Sequence, residues 1–212
     1  IKCNKCINVC PTINKIKIKE NNSTSYSCIN KDEKIRLESS SGGIFTLLAE
    51  KVISEGGIVF GAAFNNKFEV EHIWIDSKIN LSKLRGSKYV QSKVGNSYRQ
   101  VEEYLKEGKK VLFSGTPCQI GGLKSYLGKN YDNLLCIDII CHGVPSPKAW
   151  KKYLQYRENK AKSKTKEISF RSKDEGWKKY SVVFTFKDNT VYRQNLHYDL
   201  YMRAFLKDIC LR

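Results

Sequence analysis

One stretch limits the fold of this chain more than any other: a strand–turn–helix–strand series between Lys110 and Ile140. Lys110–Ser114 reads as a strand, Gly115-Thr116-Pro117-Cys118 as a turn, Gln119–Leu127 as a helix and Leu134–Ile140 as a second strand. The second strand is apolar throughout except for Asp138, the composition of a strand buried on both faces of a parallel sheet. Parallel neighbours joined by a helix form a right-handed βαβ unit whose carboxyl ends lie on one sheet edge. Adjacent strands are about 4.8 Å apart, so residues just past the two ends meet in one space. Those residues include Cys118 and Cys141. Cys118 also opens a helix, where a thiol loses its proton more readily and becomes a better metal ligand. The pair can therefore converge on a single metal site; the plainer alternative is two buried cysteines packed as small hydrophobes.

The flanking sequence is consistent with a larger α/β layer. Ser39-Ser40-Ser41-Gly42-Gly43 leads into a helix with Ile44, Leu47, Leu48 and Val52 on one face, closed by Gly56-Gly57. Two strands follow over 58–64 and 68–76, joined across Asn65-Asn66, which suits a tight turn. A loop containing Arg85-Gly86-Ser87-Lys88-Tyr89 precedes a helix over 96–107 with Val101, Tyr104 and Leu105 on its apolar face. Beyond Pro147 come a basic helix, antiparallel strands over 167–170, 181–187 and 190–193, and a last helix holding Leu200, Phe205 and Leu206. The expected fold class is α/β: a mixed sheet flanked by helices with a βαβ unit, preceded by a small cysteine-bearing segment. The expected divisions are 1–34 for that segment and a linker, with 35–108 and 109–212 as two parts of one module.

The opening segment is Cys3-x-x-Cys6-x-x-x-Cys10-Pro11. Thiolates two and three residues apart wrap one corner of a cubane cluster, and the last ligand of such a run serves the other cluster of a pair. A bacterial ferredoxin motif has one more Cys, three residues before Cys3, so the segment reads as the cut tail of such a motif. A zinc knuckle is the alternative. Cys210 stands two residues from the other end, and both ends read as cut. Eight cysteines in 212 residues, three of them clustered, fit metal ligation in a reducing compartment better than a disulfide scaffold, and the chain is expected to be cytoplasmic. No run approaches the roughly 18 apolar residues of a membrane span. With 41% hydrophobic residues, global disorder is excluded. The formal charge of +17 attracts anionic cofactors, acidic proteins or polyanions; no nucleic-acid module is present, so no specific nucleic acid is expected.

Four segments in series carry a family resemblance: Ser-Ser-Ser-Gly-Gly-Ile-Phe-Thr-Leu-Leu-Ala (39–49), Leu-Arg-Gly-Ser-Lys-Tyr-Val-Gln-Ser (84–92), Gly-Thr-Pro-Cys-Gln-Ile-Gly-Gly-Leu-Lys (115–124) and Cys-His-Gly-Val-Pro-Ser-Pro (141–147). Over about residues 35–212 they closely resemble the coenzyme F420 hydrogenase/dehydrogenase beta-subunit family, with a ferredoxin-type 4Fe–4S domain of the kind often fused in front. The resemblance implies non-covalent FAD and a 4Fe–4S cluster within the module, with Cys118, Cys141 and Cys210 as ligands and a further Cys beyond Arg212. It implies an oxidoreductase passing electrons between clusters, FAD and an organic acceptor such as coenzyme F420, with a ferredoxin or a redox subunit as partner. A non-catalytic electron-transfer subunit, or a reductase of the same module in polysaccharide biosynthesis, are the alternatives.

Ser41, Gly42 and Gly43 open a helix and form a candidate pyrophosphate site, or simply a Ser-capped helix start. Arg85, Lys88 and Tyr89 are candidate flavin or substrate contacts, or an exposed basic loop; Thr116 joins the cofactor-binding candidates. His142 either tunes a cluster or shuttles a proton, or is structural. His72, His197, Cys28 and Cys136 receive no functional role, with Cys136 expected in the core.

Overall fold

The structure, a computed structural model, describes residues 24–206 apart from Glu175 and Lys178, together with Ile7 and Ile13. Cys3, Cys6, Cys10 and Cys210 lie outside the described residues, and so does the ferredoxin-like segment they define.

The first regular element is a short helix, α1 (Glu33–Glu38), capped by the Asp32 side chain, which accepts from the Ile35 N–H. Among the described residues, 24–38 hold this helix and no strand. Helix α2 (Ile44–Ser54) follows, then β1 (Ile58–Phe64) and β2 (Val70–Ile75). The predicted two-residue turn between the strands is a wider loop. The Asn65 side chain accepts from the N–H groups of Lys67 and Glu69, and Phe68 takes a left-handed φ of 56° to close it. A short α3 (Leu81–Leu84) and α4 (Ser97–Lys106) lead to β3 (Val111–Gly115), α5 (Pro117–Leu127) and β4 (Leu134–Asp138). The chain continues through α6 (Pro147–Ala161), β5 (Thr165–Ser172), β6 (Ser181–Phe186), β7 (Val191–Asn195) and α7 (Leu200–Leu206).

The strands make two sheets. The first has the order β2-β1-β3-β4, with β1 and β2 antiparallel and the β1/β3 and β3/β4 pairs parallel. This is the expected mixed sheet, and β3–α5–β4 is its βαβ unit. Strand side chains alternate between faces, and β1 shows it. Ile58 and Phe60 pack with Val111 and Phe113 against Val101 and Leu105 of α4 and Ile120, Leu123 and Leu127 of α5. Val59 and Ala63 pack with Leu112 against Ala49 and Val52 of α2 and Leu81 and Leu84 of α3. The second sheet, β5-β6-β7, is antiparallel. It packs on α6 and α7 around Trp150, Phe170 and Phe184, and this core reaches the β1–β2 hairpin through Phe64 and Phe68.

Two further sequence expectations are corrected. Strand β4 ends at Asp138 and is an edge strand, not a buried central one: Leu135 is exposed, and Ile139 and Ile140 lie beyond its end at 53% and 93% exposure. An apolar run of strand length does not distinguish an edge from an interior position. In α2 the buried stripe is Thr46, Ala49 and Val52, and Leu47 faces outward. The close approach to the sheet is made by small residues, which a search for large apolar ones misses. The last helix, α7, stands where expected and buries Tyr201 and Met202, while Leu200 is exposed.

Candidate functional site

The parallel register places Gly115 opposite Asp138. Cys118 and Cys141 each stand three residues past that pair, beyond the carboxyl ends of adjacent strands, as the βαβ reading requires. Cys118 is exposed and Cys141 partly so; neither is a buried core thiol. Cys136, three residues into β4, is half-buried against the core beneath α4 and α5, and burial pushes its thiol pKa up. His142 is exposed beside Cys141, and Cys28 is exposed on the segment before α1.

The four sequence segments come together through the second of them. Ser87 Oγ donates to or accepts from Ser40 Oγ at 2.7 Å, and the Arg85 guanidinium donates to Thr46 Oγ1 at 3.2 Å, which joins 84–92 to 39–49. Ser92 Oγ accepts from the Gln119 side-chain amide at 2.9 Å, joining it to 115–124. The Gln91 N–H donates to the Pro145 carbonyl at 2.9 Å, joining it to 141–147. Segments far apart in sequence, and on both faces of the first sheet, are thus joined through 84–92.

Within this cluster the predicted cofactor contacts already have protein partners. Arg85 pairs with Glu38. The Lys88 ammonium donates to the carbonyls of Lys83 and Arg85, each at 2.9 Å, while burial pushes its pKa down to about 7. Desolvation opposes the charged form and the two carbonyls favour it. The Tyr89 ring meets Phe170 edge-on, and its carbonyl accepts from Tyr201. Ser41 is exposed. Gly43 has φ +80°, a left-handed conformation that favours glycine. A side chain on Gly42 would stand 2.8 Å from the Cys28 carbonyl, and Asn30 donates from its backbone N–H to the Gly42 carbonyl at 2.7 Å. The glycine pair therefore has a packing reason against residues 28–30, whatever α2 binds at its start.

His72, given no role from sequence, is central. It is buried on β2 with its ring stacked on Phe113. Its Nε2 lies 3.1 Å from the Ser114 carbonyl, which only accepts, so Nε2 carries the hydrogen. Its Nδ1 faces Ser92 Oγ at 3.0 Å. Burial holds its pKa below the usual imidazole value, which favours the neutral ring that this pattern requires. A lone histidine on a strand carries no sequence signal; the Ser92 and Gln119 partners that give it meaning lie 20 and 47 positions away.

A separate cavity of about 920 Å³ lies between the β1–β2 hairpin, α6 and the start of β5. Lys67, Lys93, Lys148, Lys151, Lys164 and Lys187 line it, and Ser92 marks its boundary with the cluster. None of the described site candidates lines it.

Cys118 and Cys141 supply sulfur donors of the kind an iron–sulfur cluster takes, and their exposure and shared edge suit that use. Among the described residues no group of three or more His, Cys, Asp or Glu side chains is gathered to hold a metal ion. The described thiols are those of Cys28, Cys118, Cys136 and Cys141. No helix among them is long and apolar enough to cross a membrane.

Residues 108–211 match the family described as the C terminus of the beta chain of coenzyme F420 hydrogenase/dehydrogenase. No curated protein matches the sequence. Among solved structures, a chain of the F420-reducing NiFe hydrogenase complex from Methanosarcina barkeri is similar, with a TM-score of 0.51 and 18% identity. The alignment covers 79% of this chain and 58% of that one. At this identity the likeness is one of fold.

Proposed function

From the premise that this chain belongs, through residues 108–211, to the coenzyme F420 hydrogenase/dehydrogenase beta-subunit family, we propose that it is part of an iron–sulfur flavoprotein oxidoreductase. In this reading the protein passes electrons between 4Fe–4S clusters, FAD and an organic acceptor such as coenzyme F420. The observation that carries it is the placement of Cys118 and Cys141, each three residues past the Gly115/Asp138 pair at one sheet edge. Their thiolates, with Cys210 and one further Cys, hold the module cluster; Cys3, Cys6 and Cys10 belong to a ferredoxin-type cluster upstream. FAD lies where the start of α2 and residues 85–89 meet, near Ser41, Gly43, Lys88 and Thr116. When bound, these groups exchange single electrons for a hydride. The chain's own part is to fix two sulfurs at the sheet edge and to hold the 85–89 loop against α2, with Arg85 on Thr46 and Glu38 and Lys88 on the Lys83 and Arg85 carbonyls. Its basic surface suits an anionic acceptor and an acidic ferredoxin or redox subunit as partner in the cytoplasm.

The test is anaerobic purification of the full-length protein with iron, sulfide and flavin analysis, followed by reduction assays with coenzyme F420 and reduced ferredoxin. Bound flavin with iron and sulfide beyond the ferredoxin-type clusters, and F420 turnover, support the reading. Flavin without turnover leaves an electron-transfer subunit, and absence of both flavin and module iron overturns it.

A further inference from the structure

We infer that His72, Ser92 and Gln119 form a positioning frame that aims the Thr116 hydroxyl at the Cys118 sulfur. The inference rests on the reading of Cys118 as a cluster ligand, and goes beyond it by assigning the residues that hold that ligand in place.

The frame follows from donors and acceptors alone. The Ser114 carbonyl fixes the hydrogen of His72 on Nε2, so Nδ1 accepts, and its donor is the Ser92 hydroxyl at 3.0 Å. With its own hydrogen spent there, Ser92 Oγ accepts from Gln119 Nε2 at 2.9 Å. The other end of that amide, Oε1, accepts from the Thr116 N–H at 2.9 Å, which settles which end is nitrogen. Gln119 can fold back this far because residue 115 is glycine: a side chain there would meet Gln119 Oε1 at 3.0 Å. Gln119 thereby closes the capping box of α5 with Thr116 as N-cap. Against a ligating thiolate, which only accepts, the donor is the Thr116 hydroxyl. Cys118 Sγ lies 3.0 Å from it. A second clamp, Tyr98 Oη donating to the Gln119 carbonyl at 2.8 Å, holds the same helical turn from α4.

His72 thus grips both ends of the turn that carries Cys118: Ser114 directly, and Thr116 through Ser92 and Gln119. A connected, part-buried chain of hydrogen bonds from buried His72 limits the freedom of what it holds. Its product is a hydroxyl donor on a ligating sulfur, and hydrogen bonds to sulfur are among the levers that set a cluster's reduction potential.

The test uses the full-length, cluster-loaded protein with Thr116→Val, Thr116→Ser, Ser92→Ala and Gln119→Leu. It follows iron release from the module cluster to a chelator and that cluster's midpoint potential by EPR-monitored titration. In Thr116→Val, iron release should quicken about three- to tenfold, the scale of one lost hydrogen bond, and the potential should fall. Thr116→Ser keeps the hydroxyl and should restore both. Ser92→Ala and Gln119→Leu should move both readouts in the Thr116→Val direction. The Ser92→Ala/Thr116→Val double variant should add little to Thr116→Val alone, because both act through one contact. The upstream clusters should be unaffected throughout. Unchanged potential and release rate in Thr116→Val and Ser92→Ala, in a protein whose wild type carries the module cluster, would overturn the frame alone. Failure of Thr116→Ser to rescue would do the same by making the effect steric. Wild-type protein without module iron would overturn the cluster reading and the frame together.

Discussion

Around the second sheet the buried polar groups close upon one another. Arg157 on α6 donates to Tyr153 Oη at 2.6 Å, Tyr192 Oη at 2.5 Å and Asp199 Oδ2 at 3.2 Å, while Tyr153 and Tyr192 both donate to the same Asp199 oxygen. Asp199 is fully buried, and its other oxygen caps α7 at the Met202 N–H. Around the first sheet the polar groups run outward instead, from buried His72 through partly buried Ser92 and Gln119 and the Thr116 hydroxyl to an exposed sulfur. The first arrangement starts and ends in the core and ties α6, β7 and α7 together. The second starts in the core and ends where a ligand can reach it. The comparison separates a polar network that serves the fold from one that serves the edge.

The largest effect expected from this contrast is at Asp199. Asp199→Ala leaves the Arg157 cation buried without its partner, removes the α7 cap and strips two tyrosines of their acceptor. Breaking a buried pair from one side costs about 3–5 kcal/mol, so the urea midpoint should drop steeply. Burial and the neighbouring Asp199 carboxylate both raise the Tyr153 and Tyr192 pKa values, and both tyrosines should titrate at lower pH in the variant. A loss below about 1 kcal/mol would mean that the second sheet is not anchored as described.

The two regions are tied by Lys173, at the end of β5. Its ammonium donates to the Ser39 carbonyl at 2.5 Å and the Arg36 carbonyl at 3.2 Å and lies 3.4 Å from the centre of the Trp177 ring. Burial, then the charges of Arg171 and Arg36, push its pKa down from 10.5 to about 8. Between those values the unfolded chain holds more protons than the folded one, so unfolding becomes harder as pH rises through the window; below about 8 both states are charged and the slope vanishes. Lys173→Met should lack this rise, with a difference of roughly 1–3 kcal/mol accumulated by pH 10. Lys88 contributes in both proteins and cancels. Parallel stability profiles would show that Lys173 is not a tie.

Gly43 tests the side of the tie nearer the candidate site. Gly43→Ala places a side chain 2.9 Å from Asn30 Cβ on a backbone at φ +80°. A cost of about 1–2 kcal/mol is expected from the strained conformation. If stability instead is unchanged and flavin content falls, the glycine serves the cofactor and not the 28–30 contact.

What was legible in sequence divides along the same line. Local patterns found the strands and helices of both regions, because periodicity and Gly or Pro boundaries act within about ten residues. The βαβ unit also gave the Cys118/Cys141 edge, since parallel strands joined by a helix leave little choice of geometry. Burial that depends on the rest of the sheet was not legible: β4 has the composition of an interior strand and sits at the edge, and Thr46 and Ala49 are buried where Leu47 is not. Neither polar network was visible. Arg157 and Asp199 lie 42 positions apart, and His72 looked like any strand residue until the fold brought Ser92 and Ser114 to its two nitrogens.

The smallest stability effect should come from the residues that matter most to the chemistry. Cys118 is exposed and Cys141 only partly buried, so Cys118→Ser and Cys141→Ser remove almost no buried apolar surface. Cys141 Sγ has one long contact, 3.7 Å to the Gly143 carbonyl, and Cys118 Sγ has the Thr116 hydroxyl, which a serine oxygen can also meet. Surface changes of this kind stay within about 0.5 kcal/mol, so the urea midpoint of the metal-free chain should barely move. In the full-length protein, either change should lower module iron and sulfide sharply, because a cubane held by four thiolates loses a ligand, while iron in the upstream clusters is retained. Cys136→Ser is the internal control: its half-buried thiol packs beneath α4 and α5, so stability should fall by about 1 kcal/mol through a polar group set in an apolar site, with no loss of iron. Should Cys118→Ser destabilise as much as Cys136→Ser and leave the iron in place, the sulfur at the sheet edge would be a packing residue, and the contrast between an inward and an outward polar network would lose its functional half.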